Sequence, residues 1–348
     1  MIVQENVALT PLTTLQVGGA ARFFVAADSI AAVREAIQFA QSERLSLFVL
    51  GGGSNVVISD AGWPGLVLKM AIRGIDQREQ TGKMVFEAGA GEDWDGFVAR
   101  AVAQDCAGVE CLSGIPGSVG GTPVQNVGAY GQEVSDTIES VLVFDLRDQQ
   151  VRELCAEGCS FGYRTSIFNS SERGRFVILR VSYGLTPGGA QKIEYADLKK
   201  YFAGRGTTPT LAETRQAIRE IRASKAMLIT PGDEDSHSVG SFFKNPIISE
   251  EKYGELEERA RGRGLEVPSY AAGAGQRKIP AAWLVEHSGF GKGYVAGRVG
   301  ISRKHALAIV NRGGASAAEI LALKTSIQQG VQEKWGIPLE TEPVFVGI

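Results

Sequence analysis

Histidine is scarce: His237, His287 and His305 are the only three in 348 residues, and none lies near Cys155 or Cys159. A metal site at that cysteine pair is therefore not expected, because closed structural sites need four nitrogen or sulfur ligands. The four cysteines (106, 111, 155 and 159) are too few in so long a chain for a disulfide framework and read as reduced thiols of a cytoplasmic protein. No apolar run approaches the roughly 18 residues that span a bilayer, and the amino terminus lacks the basic start and apolar run of a signal peptide. A net charge of −3 gives no electrostatic case for nucleic acid or an anionic membrane surface. The Gly-x-Ser-x-Gly elbow of serine hydrolases is absent, as is the Gly-Lys-Ser/Thr of a P-loop.

What the chain has in excess is glycine, 44 of 348 residues against about 7% in average usage. The glycines cluster in Gly51-Gly52-Gly53, from Gly114 to Gly121, and from Gly128 to Gly131. Short clusters between apolar runs suggest backbone approaching something closely. The length predicts two or three domains. Before residue 190, strand and helix signals alternate in an α+β pattern rich in β. Ser29 caps a stripe of Ile30, Val33 and Ile37, and Trp94, Phe97, Val98, Ala101 and Val102 form a second stripe. Leu45–Leu50 reads as a buried strand, Val141–Leu154 as a hairpin and Phe176–Leu185 as another strand. Thr210-Leu211-Ala212-Glu213 and Ser316-Ala317-Ala318-Glu319 are capping boxes that open helices. Ile279–Gly289 is helical by content. The texture changes near 205–210, which places a domain boundary there: 1–209, then 210–336, then a strand-like tail at 337–348 with no assigned partner.

Four stretches can carry chemistry. Gly51-Gly52-Gly53-Ser54-Asn55 after a strand presents bare backbone amides, which make an anion-binding concavity or an ordinary turn. It does not open a helix as a dinucleotide fingerprint does. Ser113–Val134, with glycines at 114, 117, 120, 121, 128 and 131, is a loop long enough to be functional, and its apolar Ile115, Val119, Val124 and Val127 argue against disorder. Two such loops suit the ends of a long dinucleotide. In Phe161-Gly162-Tyr163-Arg164-Thr165-Ser166, Arg164 is either a fork for a carboxylate or a surface arginine. Farther on, Ser241 in Gly240-Ser241-Phe242-Phe243-Lys244-Asn245-Pro246 either does chemistry or fills a tight turn.

VLGGGSNVV, GIPGSVGGTPVQNVGAYG, FGYRTSIF, GSFFKNP and the closing LETEPVF follow one another in order and spacing. Together they resemble the bacterial UDP-N-acetylenolpyruvoylglucosamine reductases (MurB family), from about residue 10 to the end. The resemblance implies an α+β fold: a two-part FAD-binding domain of the PCMH/vanillyl-alcohol-oxidase type plus a smaller substrate-binding domain. It implies non-covalent FAD held by Gly51, Gly53, Ser54, Asn55, Ile115, Gly117, Ser118, Gly121 and Val124. The absence of histidine before 237 rules out a histidyl link in that domain. NADPH is the implied hydride donor, and the enolpyruvyl ether of UDP-N-acetylglucosamine the acceptor, in the making of a peptidoglycan precursor by a cytoplasmic monomer.

Hydride added to the terminal alkene carbon leaves an enolate on the carboxyl group, which calls for a cation on its oxygens and an acid beside the neighbouring carbon. The resemblance assigns the first task to Arg164, partnered by Glu342, and the second to Ser241. Lys244 is a candidate activator of that serine. Tyr195, Lys225, Asn245 and His305 match substrate contacts; by themselves Tyr195 reads as a half-exposed strand aromatic and Lys225 as a helix-end cation. The chain departs from the family pattern in three places. The acidic Gly232–Asp235 stretch threatens the Lys225 contact, His305 stands where some relatives have glutamine, and the displaced Pro343 makes Glu340 a competitor of Glu342. An oxidase on the same flavin fold, turning over with oxygen, and a binding module without turnover are the rival readings.

Overall fold

The computed structural model describes residues 1–230 and 232–348, and they form two compact units. The α+β class expected from the sequence is the one observed. The first unit comprises Met1–Ala8, Ala20–Gly53 and Trp63–Leu228, the second Leu9–Gly19, Ser54–Gly62 and Ile229–Ile348.

In the first unit, one sheet runs in the order Gln4–Ala8, Ala20–Ala27, Trp63–Met70, Leu47–Leu50, with the last three strands parallel. Helix α1 (Ile30–Ser42) is capped by the Ser29 hydroxyl, which accepts from the Ala32 N–H, and buries Val33, Ala36, Ile37 and Ala40. An antiparallel sheet follows in the order Gln150–Cys155, Ile138–Asp145, Phe176–Pro187, Lys83–Gly89, Ile75–Gln80. The expected hairpin and strand are both within it. Helix α2 (Trp94–Ala103) buries the stripe read from the sequence. Its Phe97 ring lies 4.7 Å from that of Tyr183, whose hydroxyl meets Thr122 Oγ at 2.6 Å. Two further helices, α3 (Ala196–Tyr201) and α4 (Leu211–Ser224), complete the unit.

The compact units divide the chain differently from a boundary at 209/210, since α4 belongs with the residues before it. Leu211 packs in the first unit's core, Ala217 and Ile218 pack with Cys111 and Tyr130, and an ion-pair clamp joins α2 and α4. Asp95 accepts from Arg215 at 2.6 and 3.0 Å and from Arg219. Partial burial of Asp95 opposes its ionisation, yet the Arg215 hydrogen bond, the Gly114 N–H and the two arginine charges hold its carboxyl below the usual carboxylate range.

The second unit contains α5 (Glu250–Arg261), α6 (Ala281–Glu286) and α7 (Ala317–Trp335) with three small sheets. The Ile279–Gly289 stretch is helical for six residues only. The Ser316/Glu319 capping box opens α7, and Asp60 adds two acceptors for the Ala317 and Ala318 N–H groups at 2.7 and 3.0 Å. The tail is an integral strand, since Val344–Val346 pairs in parallel with Val56–Ile58.

Asn311, 3% exposed, ties the early segment into this unit. Its amide donates to Leu15 O (3.0 Å) and Gln16 O (3.1 Å), and its oxygen accepts from Gly313 and Ala315 N–H. Replacing it leaves the buried Leu15 carbonyl and three partly buried backbone groups without these partners, at about 1–3 kcal/mol. Asn311→Ala should therefore lower the urea midpoint of the second unit's unfolding, and an unchanged midpoint would show that water replaces all four bonds.

Candidate functional site: a glycine cradle and a serine–histidine pair

The residues expected to carry function fall in both units. Gly51, Gly53, Ile115, Gly117, Ser118, Gly121, Val124, Arg164, Tyr195 and Lys225 belong to the first; Ser54, Asn55, Ser241, Asn245, His305, Glu340 and Glu342 belong to the second.

In the first unit the two glycine loops meet backbone to backbone. A Cβ on Gly52 would lie 2.4 Å from Gly117 Cα and 2.8 Å from the Ser118 nitrogen. Gly117 holds φ +134, a value that disfavours any side chain. The second loop is pinned to the start of α2: Trp94 N–H donates to Gly117 O (3.2 Å), Val119 N–H to Glu92 O and Gly120 N–H to Ala90 O (both 2.9 Å). Ile115 and Val124 pack on the unit's core. Buried Ser118 Oγ has no hydrogen-bond partner among the described residues, and it sits 2.9 Å from where a Gly51 Cβ would be. Lys69 Nζ donates to Gly51 O. Burial, then the Arg73 charge, lowers its pKa below the usual lysine value. Bare backbone, a buried unpaired hydroxyl and a half-buried cation together fit an anionic pyrophosphate. Lys69 went unnoticed in the sequence; the signal was a lone charge inside the apolar run Leu66–Met70.

The long loop and the Arg164 segment are one hydrogen-bonded structure. Buried Asn126 donates to Gly162 O (3.1 Å) and Glu133 Oε2 (2.7 Å), and Ser166 Oγ donates to Val124 O (2.7 Å). Gly162 and Thr165 pair around a two-residue turn with Arg164 at φ +56, a costly conformation for an arginine. Its Nη2 donates to Gly128 O at 2.9 Å. Nothing in the sequence pattern singled out Asn126.

Tyr195 is the N-cap residue of α3 and 46% exposed, with its ring edge-on to Tyr130 at 5.3 Å. Lys225 is the C-cap residue of α4, as its helix-end reading anticipated, and its Nζ donates to Asp197 Oδ2 at 2.6 Å. Burial alone would lower its pKa; the bond to Asp197, with Tyr130 nearby, raises it above the ordinary lysine value. The acidic stretch is occupied elsewhere: Asp233 pairs with Lys304 (2.9 Å) and Asp235 with Arg303 (3.2 Å).

In the second unit, Ser241 Oγ is hydrogen-bonded to His305 Nε2 at 3.0 Å. Lys244 is not the serine's partner, which corrects the expectation. The tail pairs with residues 242–244 through Glu342 N–H to Phe242 O (3.0 Å) and Lys244 N–H to Glu340 O (2.9 Å). Glu340 is thereby the cross-strand neighbour of Lys244, and their side chains meet at 3.5 Å. The Glu340 side chain is 79% exposed, whereas Glu342 is half-buried and its carbonyl accepts from Asn55 Nδ2 at 3.3 Å. Asn245 Oδ1 accepts the Ala281 N–H at 2.9 Å and so holds the start of α6.

A model for an FAD binding domain matches residues 21–154, the part that carries both glycine loops. That match makes this part of the chain an FAD-binding domain and the protein a flavoprotein. A second model, for the C-terminal domain of UDP-N-acetylenolpyruvoylglucosamine reductase, matches residues 231–346. The chain is 44% identical to that enzyme from Thermobifida fusca, covering 99% of this chain and 98% of the relative. It is 42% identical to the one from Streptomyces coelicolor over 99% and 91%. The crystal structure of MurB from Thermus caldophilus superposes with a TM-score of 0.66 at 26% identity, over 99% of this chain and all of the other. The chain belongs to the UDP-N-acetylenolpyruvoylglucosamine reductase family.

The cradle tolerates no side chain at Gly52. Overpacking of about 1–3 kcal/mol should weaken FAD binding by Gly52→Ala about 10- to 100-fold. Titration of FAD into the apoprotein, followed by quenching of flavin fluorescence, reads this directly. Gly206→Ala, where a Cβ meets open space, is the control, and equal affinity of both variants would remove the cradle from the FAD site.

Proposed function

We propose that this enzyme reduces the enolpyruvyl ether of UDP-N-acetylglucosamine to UDP-N-acetylmuramate with NADPH as donor, and that Arg164, Ser241 and Glu342 carry the chemistry. The observation that supports this most is the family match, which covers 99% of the chain in the Thermobifida fusca relative, while the C-terminal domain model at residues 231–346 spans Ser241 and Glu342. FAD, when bound, would supply the hydride that the alkene accepts. The protein's own residues then handle an enolate and one proton.

Arg164 offers the enolate oxygens a guanidinium that a strained turn and the Gly128 carbonyl hold in place. Such preorganisation is what makes a fixed cation effective toward developing charge. Ser241 delivers the proton to the carbon beside the carboxylate. Glu342 assists by stabilising the protonated intermediate; between the tail carboxylates it is the better candidate, since Glu340 is turned to solvent and to Lys244. Ser54 and Asn55 join the first-unit contacts to FAD. For the sugar nucleotide, Tyr195, Lys225 and Asn245 are the proposed contacts, Lys225 giving up Asp197 for a diphosphate oxygen, while His305 is engaged by Ser241. The first unit acts as the FAD-binding part and the second as the substrate-binding part of a cytoplasmic monomer. Among the described residues no helix is long and apolar enough to cross a membrane.

Ser241→Ala should slow reoxidation of the reduced enzyme by the enolpyruvyl substrate about 10²- to 10⁴-fold, the usual worth of a general acid. Reduction by NADPH should keep its rate. Stopped-flow absorbance separates the two halves, and equal loss in both would remove Ser241 from the role of acid.

A further inference from the structure

A serine hydroxyl is a weak acid, and giving its proton to carbon leaves an alkoxide that must be quenched at once. The group placed to do so is the imidazole of His305, 3.0 Å from Ser241 Oγ. We infer that His305 is the positioning and proton-resupplying partner of Ser241, and that this reductase works through a serine–histidine relay run in the acid direction. The inference rests on the reading of Ser241 as the acid.

The pair is fixed from both sides. On the serine side, Phe242 N–H donates to Leu307 O at 2.8 Å, which locks the residue after Ser241 to the loop that carries the histidine. On the histidine side, the buried Ser302 hydroxyl accepts the N–H groups of Lys304 (3.1 Å) and His305 (3.3 Å). Two cations flank the imidazole along its loop, and both are neutralised from the Asp233–Asp235 segment. Asp235 takes the Arg303 N–H and Nε at 3.4 and 3.2 Å, and Asp233 takes Lys304 Nζ at 2.9 Å. Glu234 lies between them, and Lys244, Glu340 and Glu342 are the charged groups on the segments paired beside Ser241. The acidic stretch therefore offsets like charge that would otherwise disfavour an imidazolium.

The proton balance closes without another reactant. The enolate electron pair forms a C–H bond as the Ser241 O–H breaks. The Nε2–H bond of the imidazolium then breaks as the serine O–H forms again. A neutral imidazole remains, and solvent returns its proton. Because the charged form of His305 acts, the substrate half-reaction should slow as pH is raised, and the decline should depend on the imidazole.

The test is a double-mutant cycle on the FAD-loaded enzyme, read as the rate of reoxidation by the enolpyruvyl substrate, with flavin reduction by NADPH as the control for folding and loading. His305→Ala should lose about 10²-fold and cost nothing further in the Ser241→Ala background, since groups acting as one unit are not additive. His305→Gln should keep the hydrogen bond and lose the alkaline decline. Independent of turnover, Ser241→Ala should shift the His305 Nε2 resonance in long-range proton–nitrogen spectra. Three histidines make this countable, and His287, held by Trp283 O at 2.8 Å, should stay in place. Additive losses, an intact alkaline decline in His305→Gln, or an unmoved His305 resonance would overturn the relay while leaving Ser241 as the acid. A full rate in Ser241→Ala would instead overturn the acid and the relay with it.

Discussion

The first unit depends on one contact in which no side chain fits: the approach of Gly52 to the Gly117–Ser118 backbone. Two loops more than sixty residues apart in sequence can share a surface of bare amides only if neither carries a Cβ there. The first loop comes to that point on the parallel strand Leu47–Leu50, and the second is held by three backbone bonds near the start of α2. From it the geometry propagates. The same long loop continues through Asn126 to the Arg164 turn, so one run of glycine and asparagine shapes the cradle and holds an arginine in a left-handed conformation. Strain of this kind is kept where surrounding structure over-determines it.

The second unit solves a different problem, the placing of the serine proposed as the acid. The chain carries three histidines and one of them meets the only serine between Gly240 and Phe242. The tail supplies backbone pairing to residues 242–244 and absorbs Lys244 with Glu340, which leaves the serine to the imidazole. The acidic Asp233–Asp235 segment, which from sequence looked like an intruder on a phosphate site, instead pairs with the cations beside that imidazole.

Local features were legible. Ser29, Thr210 and Ser316 cap the helices their hydroxyls announced, because a cap is decided within four residues. The stripes of α1 and α2 and the hairpin were legible for the same reason, and the glycine clusters marked a place of close approach. Partners distant in sequence were not. Val344–Val346 pairs with Val56–Ile58 across nearly the whole chain, and a three-residue apolar run carries no sign of its partner. His305 lies sixty-four residues from Ser241, whereas Lys244 was nearer in sequence and chemically suited, yet the tail claims it. The change of texture near 210 is real in composition, but Asp95 binds α4 to what precedes it, and no local pattern announces an ion pair more than a hundred residues apart.

The central claim is that this chain is a flavoenzyme whose two half-reactions meet on one flavin, with the enolpyruvyl sugar nucleotide as the final hydride acceptor. An anaerobic visible spectrum of the purified protein, with NADPH added first and the enolpyruvyl sugar nucleotide second, tests it most directly. The account predicts a flavin band that bleaches with NADPH and returns with the sugar nucleotide. A protein that stays colourless after incubation with FAD, or a bleached band that returns only when oxygen is admitted, would contradict it.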